Sequence, residues 1–244
     1  MEARDRRGRP VTDHVATAAY PPLRSGRTAG VLIGGGLSLA LALSLVGWAI
    51  VRLATPSAMT AWEDSVNEWF VMRRTPRLDA LSYLSGYLAN TVTCIAVLMV
   101  MVIVLRVWLG RWRESAVLSA AIVGELLIFV AVTSVVNRPR PDVLQLDSAP
   151  PTSSFPSGHT GAAVALYGCL AVIMLRQLRP EWFAVTMTTV LCLVPIVVGV
   201  SRLYRGMHHP IDVVFGVVCG GLWLALVVTT RLPRQPRPAA RLTP

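Results

Sequence analysis

The polarity of the chain alternates between six long apolar runs and short polar turns. The runs extend from Ala29 to Ala54, from Leu78 to Val107, from Ser115 to Val136, from about Gly158 to just before Arg176, from Trp182 to Val200, and from Pro210 to Thr230. Crossing the hydrocarbon core of a bilayer takes roughly 20 helical residues, so each run predicts one transmembrane helix. In the second run the most apolar part follows Asn90. A cleaved signal peptide competes for the first run, because basic residues precede it. The run exceeds the roughly 7–15 residues of such a peptide's apolar core, however, and is read as a span.

One segment breaks the pattern. Between Thr60 and Met72, Trp62, Val66, Trp69 and Phe70 share one helical face, while Glu63, Asp64, Asn67 and Glu68 fall on others. Two readings stay open: a short helix in the interface with its tryptophans at headgroup depth, or an ordinary surface helix packed on the bundle. The expected fold class is therefore all-α, a polytopic membrane helical bundle with about six transmembrane helices and a short interfacial helix after the first. Residues 1–28, rich in Arg, Pro, Gly and Thr without an apolar period, are expected to be a disordered basic cytoplasmic tail that includes His14. Residues 29–231 form the transmembrane domain, and 232–244 a basic, Pro-rich cytoplasmic tail.

Composition agrees with the bilayer. Hydrophobic residues make up 54% of the 244 and charged residues only 15%, far from the balance of a soluble domain. The net charge of +10 would by itself suggest nucleic acid, but the arginines lie mainly between the apolar runs and in the tails. That placement sets topology, and no nucleic-acid partner is expected. Cys94, Cys169, Cys192 and Cys219 are scattered singly through apolar stretches, as small core residues are.

With six spans, the N-terminal tail, the turns carrying Arg106, Arg111 and Arg113 and Arg176 and Arg179, and the C-terminal tail with Arg231, Arg234, Arg237 and Arg241 fall on one side. The positive-inside rule makes that side the cytoplasm, with both termini there. Arg73, Arg74, Arg77, Arg138, Arg140, Arg202 and Arg205 fall on the other. The last four, in loops after the third and fifth spans, run against the topological bias and ask for a chemical explanation.

Three polar segments end apolar spans on that same side: Asn137 to Pro141, Ser153 to His159, and Ser201 to Asp212. In the third, Pro210 suits the first turn of a helix and His208 and Asp212 are four apart, so a carboxylate can reach the imidazole. Fixing one ring nitrogen as donor leaves the other as a nucleophile; a polar helix cap facing headgroups is the alternative for this segment alone. In the second, Pro156-Ser157-Gly158-His159 directly precedes an apolar helix whose free N–H groups favour an anion such as phosphate. Gly158 allows close backbone approach, Ser157 adds a hydroxyl, and His159 is placed as general acid. A simple Ser N-cap explains the serine but not the string. Arg140 and Arg202 offer guanidinium groups for phosphoryl oxygens. No cluster of metal-ligating residues accompanies them, so neither metal nor cofactor is expected.

Arg140-Pro141, Pro156-Ser157-Gly158-His159, and Ser201-Arg202 with His208 and Asp212 resemble the three signature motifs of the type-2 phosphatidic acid phosphatase (PAP2) superfamily, over roughly Leu118 to Val228. The resemblance implies a membrane lipid phosphatase. In it His208 would form a phosphohistidine, Asp212 would orient it, and His159 would protonate the leaving group and then activate water. Arg140, Ser157, Gly158 and Arg202 would bind the substrate phosphate. One position departs: the family's first motif opens with a Lys seven residues before its Arg-Pro pair, and here that residue is Thr133. Arg138 or Arg205 is a candidate for supplying the missing charge, making Thr133, Arg138 and Arg205 accessory candidates.

The implied substrate is a lipid phosphate or diphosphate, with polyprenyl diphosphates, phosphatidic acid and phosphatidylglycerol phosphate all open, entering from the extracytoplasmic side of the cell membrane. Phosphotransfer to a lipid or sugar hydroxyl and a non-catalytic lipid-binding protein with a weakened site are the alternatives. Besides that substrate, membrane lipids are the expected partners; the oligomeric state is not legible. Glu125 stands inside the third span, where an acid usually faces the bundle interior; a structural clamp to an Arg or hydroxyl of another helix is expected rather than a catalytic base, since it lies some two turns below the motif level.

Overall fold

The computed structural model describes residues 25–53, 58–148 and 151–231; most of the N-terminal tail, with His14, and all of 232–244 lie outside them. The helices are α1 (Ser25–Leu53), α2 (Ala58–Val71), α3 (Pro76–Tyr87), α4 (Thr91–Leu109), α5 (Arg113–Val135), α6 (Gly158–Gln177), α7 (Glu181–Tyr204) and α8 (Pro210–Arg231). Six of them, α1, α4, α5, α6, α7 and α8, are long and apolar enough to span a membrane. The chain is a multi-pass membrane protein of the all-α class.

The second apolar run is not one helix. Thr75 caps α3, its hydroxyl accepting from Leu78 N at 3.3 Å, with Pro76 in the first turn where a missing N–H costs nothing. α3 ends at Tyr87, and Asn90 then caps α4, its side-chain oxygen accepting from Thr93 N at 2.8 Å. Only α4 has the length and apolarity to cross. α7 instead outruns its predicted end at Val200 and carries Ser201 and Arg202 in its last turn.

α2 combines the two readings left open for it. Glu63 and Asn67 are buried against the bundle, while Trp62 and Trp69 are about half exposed on the outside. Polar-in and aromatic-out is the reverse of a soluble amphipathic helix, and suits a helix bordered by lipid.

α5, α6 and α8 form the centre, with Leu118, Val132, Ala163, Leu166, Cys219 and Val227 buried between them. Apolar side chains gain little from leaving lipid for protein, so close backbone approach must do what hydrophobicity does in water. Gly216 and Gly220 of α8 provide it: a Cβ on either would stand 2.6 Å from a backbone carbonyl oxygen of α6 or its entry, that of Ser157 or Gly161. Midway, α6 carries a single π segment, Val164–Gly168.

Candidate active site

The segments 136–148 and 151–157 and the turn between α7 and α8 close over one end of the bundle. Three backbone hydrogen bonds hold them in register: Ser154 N to Arg138 O at 3.0 Å, Leu146 N to Arg205 O at 3.0 Å, and Ser157 N to Asp212 O at 2.9 Å. Gly206 makes the turn with φ +70°, where a side chain would be strained and its Cβ would meet Val143 at 2.8 Å. The three polar segments are thereby brought together. Between them lies a cavity of about 310 Å³ whose polar end is lined by Arg140, Gly158, His159, Arg202 and His208.

His208 is buried, and its Nδ1 donates to the carbonyl oxygen of Ser154 at 2.8 Å. A carbonyl can only accept, so Nδ1 carries a proton, and in the neutral ring the lone pair is then on Nε2. The Asp212 carboxylate is farther away, with Oδ2 at 3.8 Å from Nδ1. The direct tie on the imidazole thus comes from Ser154, and Asp212 acts on it at longer range. Oδ2 instead accepts from the backbone N–H of His209 at 2.8 Å, bonding from the first turn of α8 back to the residue before Pro210, as one half of a capping box does.

Arg138, one of the two candidates for the charge missing at Thr133, does not line the cavity. It is buried, bonded through Nη2 to Glu63 Oε2 at 2.5 Å and through Nη1 to Asp212 Oδ1. Glu63 also accepts from Ile211 N at 3.2 Å, so two carboxylates sit at the positive end of α8 and one guanidinium joins them. The cation is consumed in holding α2, the loop and α8 together.

Arg205 is likewise committed. It makes a two-pronged bond to Asp147, Nε to Oδ2 at 2.8 Å and Nη2 to Oδ1 at 2.5 Å, and reaches Ser82 of α3 at 3.1 Å. Arg202 shares the same carboxylate at 3.2 Å and also lines the cavity. Burial alone would raise the Asp147 carboxyl, but the hydrogen bond from Arg205 and the charges of Arg202 and Arg205 together outweigh it and hold it below the usual carboxylate range. Arg140 donates from Nη1 to the carbonyl of Met207 at 2.7 Å, and its Nε has no hydrogen-bond partner among the described residues.

Ser157 occupies the N-cap of α6 without capping it; its buried hydroxyl bonds Thr160 Oγ1 at 3.0 Å, and it is not among the cavity-lining side chains. The first-turn amides are therefore free of a side-chain cap. Gly158 is needed for packing, since a Cβ there would meet the Phe129 ring at 2.7 Å. Thr133 donates to the carbonyls of Phe129 at 2.9 Å and Val130 at 3.2 Å on its own helix and lies outside the cavity. Of the accessory candidates, none of Thr133, Arg138 and Arg205 lines the cavity. The clamp expected of Glu125 is not formed either: it is buried, with no hydrogen-bond or ion-pair partner among the described residues, and it borders the cavity.

Sequence reasoning missed Glu63, Asp147 and Ser154. Glu63 lies on the polar face of a helix whose orientation was open, and Asp147 and the Ser154 carbonyl belong to a loop without periodicity.

Residues 130–236 match the PAP2 superfamily. No curated protein matches the chain. Two solved structures are similar: the first transmembrane PAP2 type phosphatidylglycerolphosphate phosphatase from Bacillus subtilis, at 22% identity over 80% of this chain and 94% of that one with a TM-score of 0.69, and LpxE of Aquifex aeolicus, at 24% identity over 68% and 93% with a TM-score of 0.54.

Proposed function

We propose that this chain, a PAP2 superfamily member by its residues 130–236, is a membrane-embedded lipid phosphatase acting through a phosphohistidine on His208. One observation carries the reading: His208 is held with Nδ1 protonated by the Ser154 carbonyl and lines the same cavity as His159, Arg140 and Arg202. Nε2 attacks phosphorus, the bond to the lipid oxygen breaks, and His159 gives that oxygen a proton. Water then attacks phosphorus, His159 takes its proton, and the P–N bond breaks to release inorganic phosphate.

Arg140, Arg202 and the uncapped amides at the start of α6 hold the phosphoryl oxygens. Asp212 favours the imidazolium side of the cycle. Every proton and charge in this scheme is assigned to a side chain, so activity is expected to persist in EDTA. The arginine asymmetry supports an orientation with the termini in the cytoplasm and this end of the bundle outside. The three candidate substrates remain phosphatidylglycerol phosphate, phosphatidic acid and polyprenyl diphosphates, and the first of them is supported by the likeness to a phosphatidylglycerolphosphate phosphatase from Bacillus subtilis.

The test is inorganic phosphate release by purified wild type and His208→Ala from a short polyprenyl diphosphate and from phosphatidic acid, with and without EDTA. Release by wild type alone, insensitive to EDTA, is expected. Loss of lipid phosphate without stoichiometric inorganic phosphate would indicate a transferase, and no turnover of either lipid a binding protein.

A further inference from the structure

The cavity has a second end. From Arg140 and His208 it runs between α4 and α5, where Ile95, Ile122, Leu126 and Phe129 give it apolar walls. Glu125 stands in that stretch with 3% of its surface exposed and no hydrogen-bond or ion-pair partner among the described residues. It presses on α6 just inward of the phosphate-facing motif. A Cβ on Gly161 would lie 2.2 Å from Glu125 Oε1, and Gly161 follows Gly158 by three residues, about 4.5 Å of helix.

A buried polar group without a partner is costly, and more so in a bilayer interior. Packing alone would be served by Leu or Met. The missing partner is therefore one that arrives in the cavity, at the depth of the atoms just beyond the phosphate ester. With no cation beside it, an acid at this depth works as a hydrogen-bonding group.

We propose that Glu125 recognises the linker of the substrate, its carboxyl O–H donating to an ester oxygen, or its carboxyl oxygen accepting from a hydroxyl, adjacent to the phosphate, so that the site selects lipid phosphates with a glycerol backbone over isoprenoid phosphates. This rests on the phosphatase reading. Glycerolipids carry oxygen at that position; isoprenoids carry only hydrocarbon there. The charge balance points the same way. Arg138 and Arg205 are spent on Glu63, Asp212 and Asp147, and Arg202 shares Asp147, which leaves Arg140 as the cavity cation not paired with an acid. That complement suits a monoester better than a diphosphate.

The experiment compares full-length wild type with Glu125→Gln, Glu125→Leu and Glu125→Met on dioctanoyl phosphatidic acid and farnesyl phosphate in one detergent, following phosphate release. Wild type is expected to favour phosphatidic acid in kcat/KM. The Leu and Met variants should lose about tenfold on that lipid, mainly in KM, and keep their rate on farnesyl phosphate, which also reports that they are folded; Gln, which still donates and accepts, should stay within about threefold on both. Equal losses on both lipids in the two apolar variants, or an unchanged ratio, would overturn the role of Glu125. Release from neither lipid by wild type would instead remove the phosphatase reading on which it rests.

Discussion

His208 gives its Nδ1 hydrogen to the carbonyl of Ser154, 2.8 Å away. A backbone acceptor cannot be titrated or changed by mutating Ser154, so the tautomer survives changes at Asp212. Where a carboxylate alone sets the tautomer, Asp→Asn costs about 10⁴ in rate. Here Asp212→Asn removes charge support but leaves the ring oriented, and about a 10²-fold loss in kcat is expected. His208→Ala should abolish release altogether. Single-turnover phosphate release would separate the two, and equal loss would mean that Ser154 does not hold the ring.

Glu63→Gln leaves Arg138 buried with one carboxylate instead of two. Breaking a buried ion pair on one side costs about 3–5 kcal/mol; the amide oxygen can still accept, which places the expected loss near the low end. Melting temperature in detergent should fall, and kcat should drop about tenfold with KM nearly unchanged, because α2 touches the residues that support His208 and not the cavity. A fall in KM alone would contradict this.

The hydroxyl of Thr133 is turned onto its own helix, so Thr133→Val should change kcat/KM by less than about twofold. A larger loss would show that the hydroxyl turns toward substrate once the cavity is filled.

Asp147 gives a pH-dependent prediction. Its carboxyl is held below its ordinary value of 3.8 in the folded protein, so its stabilising contribution is complete above that value and disappears as pH falls through the lower folded value. Asp147→Asn should therefore lower the melting temperature at neutral pH by about 3 °C, and the gap from wild type should close only in strongly acidic buffer. A gap that closes near pH 6 would exclude this origin.

Gly216→Ala tests the close approach of α8 to the entry of α6. The new Cβ would stand 2.6 Å from the Ser157 carbonyl, a backbone atom that cannot step aside, and overpacking of this kind costs about 1–3 kcal/mol. Both stability and phosphate release should fall, since Ser157 N and Asp212 O bridge the same junction.

The spans were legible because a bilayer imposes one length and one polarity on every crossing helix. The break between α3 and α4 was marked only by Asn90, whose capping oxygen reads in sequence like any polar residue. The cavity residues His159, His208, Arg140 and Arg202 could be named because their motifs end apolar helices on one side. What sequence could not show was which arginines were already occupied. Arg138 and Arg140 are two residues apart and chemically identical, yet one is tied to Glu63 and Asp212 and the other opens to the cavity. The difference is made by acids 75 and 74 positions away along the chain, beyond the reach of any local pattern.

The bond from Glu63 to Arg138 also bears on how the chain can be divided. The PAP2 match begins at residue 130, and a fragment starting at α5 would hold every motif histidine and arginine. It would nonetheless leave Arg138 with Asp212 as its one remaining acid and the first turn of α8 without its outside acceptor. Two separately made halves, split between α2 and α3, would have to find each other in the membrane before either became competent, which makes this junction a natural place to build a split reporter of assembly.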